Sequence, residues 1–348
     1  MKIAVIHSKY LPHPAEAWTD NANFSEENAL KYAYSNINKT LEQINQAGQN
    51  KADIVCTHED FTNIGGYGRE YKFPNLCLSL VEKTMYDIRI LLSEAAKKYS
   101  MLIAANNYEC ECDESENGKI YNTSTLYGRN GEIIGRYRKV HLADSERWDV
   151  SPGDGFPVFK TDIGNIGFIT CYDMIFPETC RILALNGADM VIHQTQGWGT
   201  GGKAFDDSFV GEAFMRVRAA ENSVYLIAAK VIQGSGGDGG RSLVVDNYGR
   251  ITAESEIGKE MLLTAEIEPD FDMKDKYDFN NFFSGVPSVR ARMLLARRPP
   301  LYNACVSETP EILKRYGGMR FKLNEGEPQE IMESWESMPD GEKSKFHW

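Results

Sequence analysis

Apolar positions along the chain follow two alternating rhythms, a three- and four-residue spacing and short continuous apolar runs. Between Phe24 and Gly48, Leu30, Ala33, Tyr34, Ile37, Leu41 and Ile44 recur at helical intervals, which predicts an amphipathic helix closing near a glycine. Short apolar runs flank it, Ile3 to Ile6 before and Asp53 to Thr57 after, and both read as strands.

The alternation continues with a predicted helix from about Leu76 to Lys98 and a strand from Met101 to Asn106. Tyr121 to Tyr127 and Glu132 to Arg138 read as a hairpin around the turn Gly128-Arg-Asn-Gly131. A strand from Ile166 to Thr170 then runs into a helix start marked by Pro177, with the helix reaching about Asn186. Next come a strand from Asp189 to Gln194 and a helix from about Asp207 to Glu221. Strands follow near Val224 to Ala229, Arg241 to Asp246, Ile251 to Glu254 and Met261 to Ile267. Strands regularly interleaved with helices define an α/β layer architecture.

No Pro/Ser-rich linker or solenoid-type repeat interrupts this pattern before Asp270, so residues 1–269 read as one domain. Beyond Pro269 the character changes. Asp, Lys, Phe and Tyr crowd Asp270 to Phe283, an Arg-rich helix candidate runs from Val289 to Arg298, and a charged tail follows to Trp348. Residues 270–348 read as an extension that packs on the domain or on a partner subunit.

With 348 residues, 42% hydrophobic and 25% charged, the chain has the composition of an ordinary globular protein. A formal charge of −12 argues against nucleic acid as a partner, because that binding needs Lys and Arg to neutralise phosphates. No apolar run approaches the ~20 residues that span a bilayer, so no membrane partner is expected. The strand at Met1 to His7 is followed by polar, Pro-rich sequence without a cleavage-site pattern, and the expected location is cytoplasmic. Seven cysteines spread over a long chain do not form a dense even framework, so reduced thiols are expected.

Cys171 ends the strand that precedes Pro177, Glu59 closes the Asp53–Thr57 strand, and Lys139 closes the Glu132–Arg138 strand. Taken singly, Cys171 reads as a buried structural thiol, and Glu59 and Lys139 as surface charges. Together they place a thiol, a carboxylate and an ammonium at the carboxyl ends of three strands, where open α/β sheets bind ligands. Those three groups can supply a nucleophile, its base and a donor to a developing oxyanion.

Other patterns carry less. Gly234-Ser-Gly236-Gly-Asp-Gly239 satisfies GxGxxG, but a strand follows where a phosphate-binding helix would start. Asp113-Glu-Ser-Glu-Asn117-Gly118 resembles a calcium loop but has Ser124 where a bidentate Glu is needed. The six histidines show no HExxH and the cysteines no CxxC, so neither a metal nor another cofactor is expected.

The run Gly167-Phe-Ile-Thr-Cys171-Tyr-Asp-Met-Ile-Phe-Pro-Glu178 resembles the active-site stretch of the nitrilase superfamily, the carbon-nitrogen hydrolases with a Glu, a Lys and a Cys. Thr57-His-Glu59-Asp-Phe61 is similar to its first-Glu motif with unusual neighbours, and Tyr137-Arg-Lys139-Val-His-Leu142 to its lysine motif. Arg216-Val-Arg-Ala-Ala-Glu-Asn222 with Tyr225, Arg241 to Asp246, Gly249-Arg250 and Arg297 to Tyr302 resemble later segments in the right order.

The resemblance implies a four-layer αββα sandwich, arranged αββααββα within a dimer, and a homodimer or larger homo-oligomer. The helices after Cys171 and Trp198 would lie at the subunit interface. It also implies that Cys171 attacks the carbonyl carbon, Glu59 is the general base, and Lys139 with the backbone N–H of Tyr172 holds the oxyanion. The resulting thioester is hydrolysed by water. Glu146 resembles the second glutamate, with Asp144 as a rival, and Trp198 is a candidate to line the pocket. A thiolate beside Lys139 is expected to have a depressed pKa.

Cys171-Tyr-Asp173 resembles the amidase side of the superfamily, so the expected substrate is a small linear amide, hydrolysed to ammonia and a carboxylic acid. Met174 and Ile175 stand where several relatives that bind a substrate carboxylate place Arg, which favours a neutral acyl group. The alternatives are an N-carbamoyl amidohydrolase acting on a carbamoyl substrate, an ω-amidase-like enzyme, a nitrilase, or a non-catalytic member that serves assembly or ligand binding.

Overall fold

The computed structural model describes residues 1–12, 25–66, 74–111, 118–143, 146–147, 149–197, 208–232, 241–273 and 288–307. The chain divides into two compact units, Met1–Pro269 and Asp270–Trp348.

The described residues of the first unit form two six-stranded sheets. One contains β1 (Lys2–His7), β2 (Ile54–Cys56), β3 (Leu102–Glu111), β4 (Lys119–Tyr127), β5 (Ile133–Arg138) and β12 (Met261–Glu266), in the order β12-β1-β2-β3-β4-β5. The other contains β6 (Val158–Thr161), β7 (Gly164–Thr170), β8 (Met190–Thr195), β9 (Tyr225–Lys230), β10 (Leu243–Val245) and β11 (Ile251–Glu254), in the order β11-β10-β9-β8-β7-β6. Both sheets follow one plan. Three central strands, β1-β2-β3 or β7-β8-β9, are parallel, and the flanking pairs are antiparallel.

Among the described residues four helices cover this unit: α1 (Glu26–Gln49), α2 (Pro74–Tyr99), α3 (Pro177–Leu185) and α4 (Ser208–Asn222). Along β1 and β2, Ala4, Ile6 and Val55 pack in one cluster with Ile37 and Ile44 of α1 and with Ile88 and Leu92 of α2. Because strand side chains alternate, Ile3, Val5 and Ile54 turn the other way, and they too are fully buried. In the second sheet, Ile169, Val191 and Leu226 pack with Leu183 of α3 and Met215 of α4, while the alternating Phe168, Ile192 and Ile227 are equally buried. Burial on both faces explains why these strands read as continuous apolar runs. The result is the αββα sandwich. Gln194 ties its two sheets together, its Nε2 donating to Thr57 O at 2.9 Å and Ala104 O at 3.2 Å.

Local signals act where the sequence placed them. Ser25 caps α1 by accepting from Asn28 N at 3.2 Å, with Glu26 and Glu27 in the first turn. The β4–β5 turn needs Gly131, which has φ +87° and whose added Cβ would lie 2.6 Å from Ser93 O.

Three elements differ from expectation. β3 runs on to Glu111, since its long ladder with β4 buries Asn106 and Asn107 that otherwise read as a strand end. β6 is a short edge strand paired only with β7. The helix after Cys171 is split into a 3-10 turn, Cys171–Ile175, and α3.

In the second unit, α5 (Val289–Leu295) is capped by Ser288, which accepts from Ala291 N at 3.0 Å. It stops short of Arg298, because a residue before proline disfavours helical backbone and Pro299 and Pro300 follow. No helix among the described residues is long and apolar enough to cross a membrane.

Candidate active site

Glu59, Lys139 and Cys171 all follow the carboxyl ends of their strands, β2, β5 and β7. Short backbone anchors fix each position. Lys139 N donates to Asn122 O at 2.9 Å, and Gly153 N donates to Lys139 O at 2.8 Å. The Glu59 carbonyl accepts from Tyr10 Oη at 2.9 Å and from His58 Nδ1 at 3.0 Å. Burial pushes His58 down to about 4, so this imidazole is neutral and is no rival acid or base.

The side chains form a closed polar cluster. Lys139 Nζ lies 2.9 Å from Glu59 Oε1 and 2.7 Å from Glu146 Oε2, with all three side chains at most 2% exposed. Burial alone would lower the Lys139 ammonium, but the facing Glu146 and Glu59 carboxylates overcome it and raise it above its ordinary value. Glu59 Oε2 accepts from Gln196 N at 2.8 Å. Glu146 also accepts from Tyr108 Oη at 3.1 Å and Ala143 N at 3.2 Å. The structure thus brings Glu146 onto Lys139, whereas Asp144 lies outside the described residues.

Cys171 occupies the sharp turn from β7 into the 3-10 turn with φ +47°, a left-handed conformation that is uncommon for a residue with a side chain. Its thiol donates to Gly197 O at 3.4 Å, and its carbonyl accepts from His193 Nε2 at 3.3 Å. The expected depressed thiol is corrected here. Burial, with the Glu59 charge adding to it, pushes the Cys171 thiol up to about 12, and Lys139 opposes this without reversing it. Lys139 is already neutralised by two carboxylates, so it has little field left with which to stabilise a thiolate.

Asp173 locks this turn. Its Oδ2 accepts from Thr170 N at 2.8 Å and Tyr137 Oη at 2.5 Å, and its Oδ1 from His141 N at 3.0 Å and His141 Nδ1 at 2.9 Å. Tyr137 and His141 flank Lys139, so one buried carboxylate ties the Cys171 turn to the lysine-bearing segment. Tyr172 stands in the first turn of the 3-10 helix, where backbone N–H groups have no intrahelical acceptor. Trp198, the GxGxxG stretch and most of the calcium-like loop, residues 113–117, lie outside the described residues.

Sequence reasoning missed Asn122, Tyr108 and Gln196 as site residues and took Asp173 only as a branch marker. Asn122 and Ser124 inside a strand that is buried from Ile120 onward were the available signal, because a buried amide must find partners. Among the described residues, no group of three or more His, Cys, Asp or Glu could hold a metal ion.

A thiol on a left-handed strand-to-helix turn, in the field of a buried Glu-Lys-Glu cluster on an αββα sandwich, is the arrangement of a candidate carbon-nitrogen hydrolase. Residues 32–271 match the carbon-nitrogen hydrolase family. Omega-amidase NIT2-B of Xenopus laevis is 31% identical over 245 residues, covering 67% of this chain and 83% of the relative. The chain belongs to this family, and it is an amide-hydrolysing enzyme. Two solved structures share the fold. A carbon-nitrogen hydrolase from Helicobacter pylori G27 superposes with a TM-score of 0.65 at 23% identity, covering 88% of this chain and 98% of that one. An amidase from Nesterenkonia sp. AN1, a mutant with the acetamide moiety of fluoroacetamide on its active-site cysteine, superposes with a TM-score of 0.62 at 21% identity, covering 87% and 95%.

Proposed function

We propose that Cys171 is the nucleophile that attacks the carbonyl carbon of a small linear amide. The carrying observation is that Glu59 Oε1 accepts from both Lys139 and Asn122, whereas Oε2 accepts from the Gln196 N–H and is the less engaged oxygen that can take the thiol proton. A thiol near 12 is protonated at rest, so proton transfer to Glu59 accompanies attack. The Lys139 ammonium and the Tyr172 N–H stabilise the oxyanion. Collapse expels ammonia, protonated by Glu59, and leaves a thioester on Cys171. Water activated by Glu59 then hydrolyses the thioester, while Glu146 holds Lys139 and positions substrate and water.

The acyl group is neutral in this reading. Met174 is fully buried and Ile175 packs against the same α3–α4 cluster, so the segment after Cys171 supplies no cation for a substrate carboxylate. The omega-amidase name of the Xenopus relative carries a second reading, a dicarboxylate monoamide.

Ammonia release from propionamide, butyramide, a dicarboxylate monoamide, a carbamoyl compound and a nitrile decides between these readings. Mass spectrometry of Cys171 identifies the acyl adduct. Turnover of the simple amides with an adduct at Cys171 is expected. Turnover undiminished in Cys171→Ala sinks the mechanism, and a preference for the monoamide sinks the neutral acyl group.

The reading extends to a homo-oligomer in the cytoplasm. A free thiol at Cys171 is compatible with a reducing compartment. Ile182, Leu185 and Val217 on the neighbouring α3 and α4 are 37%, 43% and 50% exposed, an apolar face suited to a second copy.

A further inference from the structure

Asn122 sits inside β4, almost wholly buried, and touches Glu59, Glu146 and the Lys139 backbone. Its main-chain carbonyl holds Lys139 N at 2.9 Å. Its side-chain Nδ2 lies 2.9 Å from Glu59 Oε1 and 2.8 Å from Glu146 Oε1. An amide nitrogen carries two N–H bonds, so each carboxylate receives one.

The orientation of this amide is fixed from behind. Asn122 Oδ1 accepts from Asn106 Nδ2 at 2.9 Å, and Asn106 Nδ2 also reaches Ser124 Oγ at 3.1 Å. Asn106 Oδ1 in turn accepts from Asp60 N at 2.7 Å, in the turn that follows Glu59. A flipped Asn122 would set its oxygen against two carboxylates and its nitrogen against a donor, so only one orientation satisfies the network.

Two carboxylates here share one ammonium, an arrangement carrying a net negative charge away from water. Lys139 attracts both, but it sets neither their separation nor which oxygen each one presents. Asn122 does both. It spans the two carboxylates as a neutral double donor and completes the occupation of Glu59 Oε1.

We propose that Asn122 is a positioning residue for amide hydrolysis, holding Glu59 and Glu146 apart on Lys139 and leaving Glu59 Oε2, which also accepts from Gln196 N, as the oxygen that takes the thiol proton. This rests on the reading of Glu59 as the base. Removing the two donors lets Glu59 rotate around Lys139 and lets the carboxylate pair keep a proton to higher pH, since bonds to the ionised form are lost.

The test compares wild type, Asn122→Leu, Asn122→Ser and Glu59→Gln in two assays. One is the pH profile of kcat and KM on an amide that the wild type turns over. The other, independent of turnover, is the iodoacetamide labelling rate of Cys171 at neutral pH, read by mass spectrometry. Asn122→Leu keeps the volume without a donor, and it should lose about 100-fold in kcat with KM little changed. The acid limb of its profile should move to higher pH, and Cys171 labelling should slow as in Glu59→Gln. Asn122→Ser, smaller and with one donor, should recover part of each effect, and it carries the test alone if the leucine variant does not fold. If the folded variants keep the wild-type acid limb and labelling rate while Glu59→Gln is impaired, the assignment of Asn122 is overturned. If Glu59→Gln itself leaves both assays unchanged, the reading of Glu59 falls, and the role of Asn122 falls with it.

Discussion

Lys139 Nζ lies 2.9 Å from Glu59 Oε1, with both side chains almost wholly buried. Removing one partner from such a pair leaves an uncompensated buried charge, at a cost of about 3–5 kcal/mol. Lys139→Met should lose that much stability in urea denaturation and about 10²–10³ in kcat through loss of an oxyanion donor. In the variant, one of the facing carboxylates binds a proton more tightly folded than unfolded. A carboxyl raised in this way destabilises progressively as pH climbs above the ordinary Glu value of ~4.3, and the penalty is relieved as pH falls. The stability gap to wild type should therefore narrow as pH falls toward that value. A gap that stays constant as pH falls would contradict the arrangement.

The Cys171 thiol, pushed up to about 12, makes a separate demand on reactivity. In Glu59→Gln, only the small standing fraction of thiolate can react, so iodoacetamide labelling of Cys171 should be slow near pH 7 and still rising through about pH 9. Wild type should label faster at neutral pH because Glu59 takes the proton during attack. Labelling that levels off below pH 7 in Glu59→Gln would mean a standing thiolate and would restore the expectation drawn from Lys139 alone.

That expectation shows where sequence reading stopped. The alternation of strands and helices was legible because both sheets bury both faces, and the ends of β2, β5 and β7 marked Glu59, Lys139 and Cys171 before any coordinates. The short β6 was not legible, because Val158-Phe-Lys-Thr161 carries too few positions to show a period and gains its pairing from β7. The site's charge balance was hidden for a different reason. Sequence shows a lysine and a cysteine, but not that two carboxylates bridged by Asn122 already engage the lysine or that desolvation outweighs it at the half-buried thiol. Asp173 and Asn122 were missed as site residues because each acts mainly through partners distant in the sequence.

The apolar face of α3 and α4 is held as one surface by Arg181, whose Nη2 donates to Glu221 O at 2.7 Å across the two helices. Ile182→Glu combined with Val217→Glu places charge on both helices without touching the core. Sedimentation velocity should show wild type as a dimer or larger and the double variant shifted to monomer, with the same circular dichroism. Wild type sedimenting as a monomer at micromolar concentration would remove the oligomer from the reading.

Asp173 offers the sharpest test of how the nucleophile is aligned with its partners. Both of its oxygens face donors only: Thr170 N and Tyr137 Oη on one, His141 N and Nδ1 on the other. Asp173→Asn preserves shape, yet its NH₂ must oppose donors in either orientation, leaving buried groups unsatisfied at about 1–3 kcal/mol. Because these donors straddle Lys139 and lead into Cys171, the turn at φ +47° should relax and shift the thiol against the ammonium. A displacement of about 1 Å costs on the order of 100-fold, so kcat should fall by that much while KM changes little. His141→Ala removes only one of the four donors and should cost far less. Equal losses in the two variants would place the effect on the His141 ring and not on the locking of the turn by Asp173.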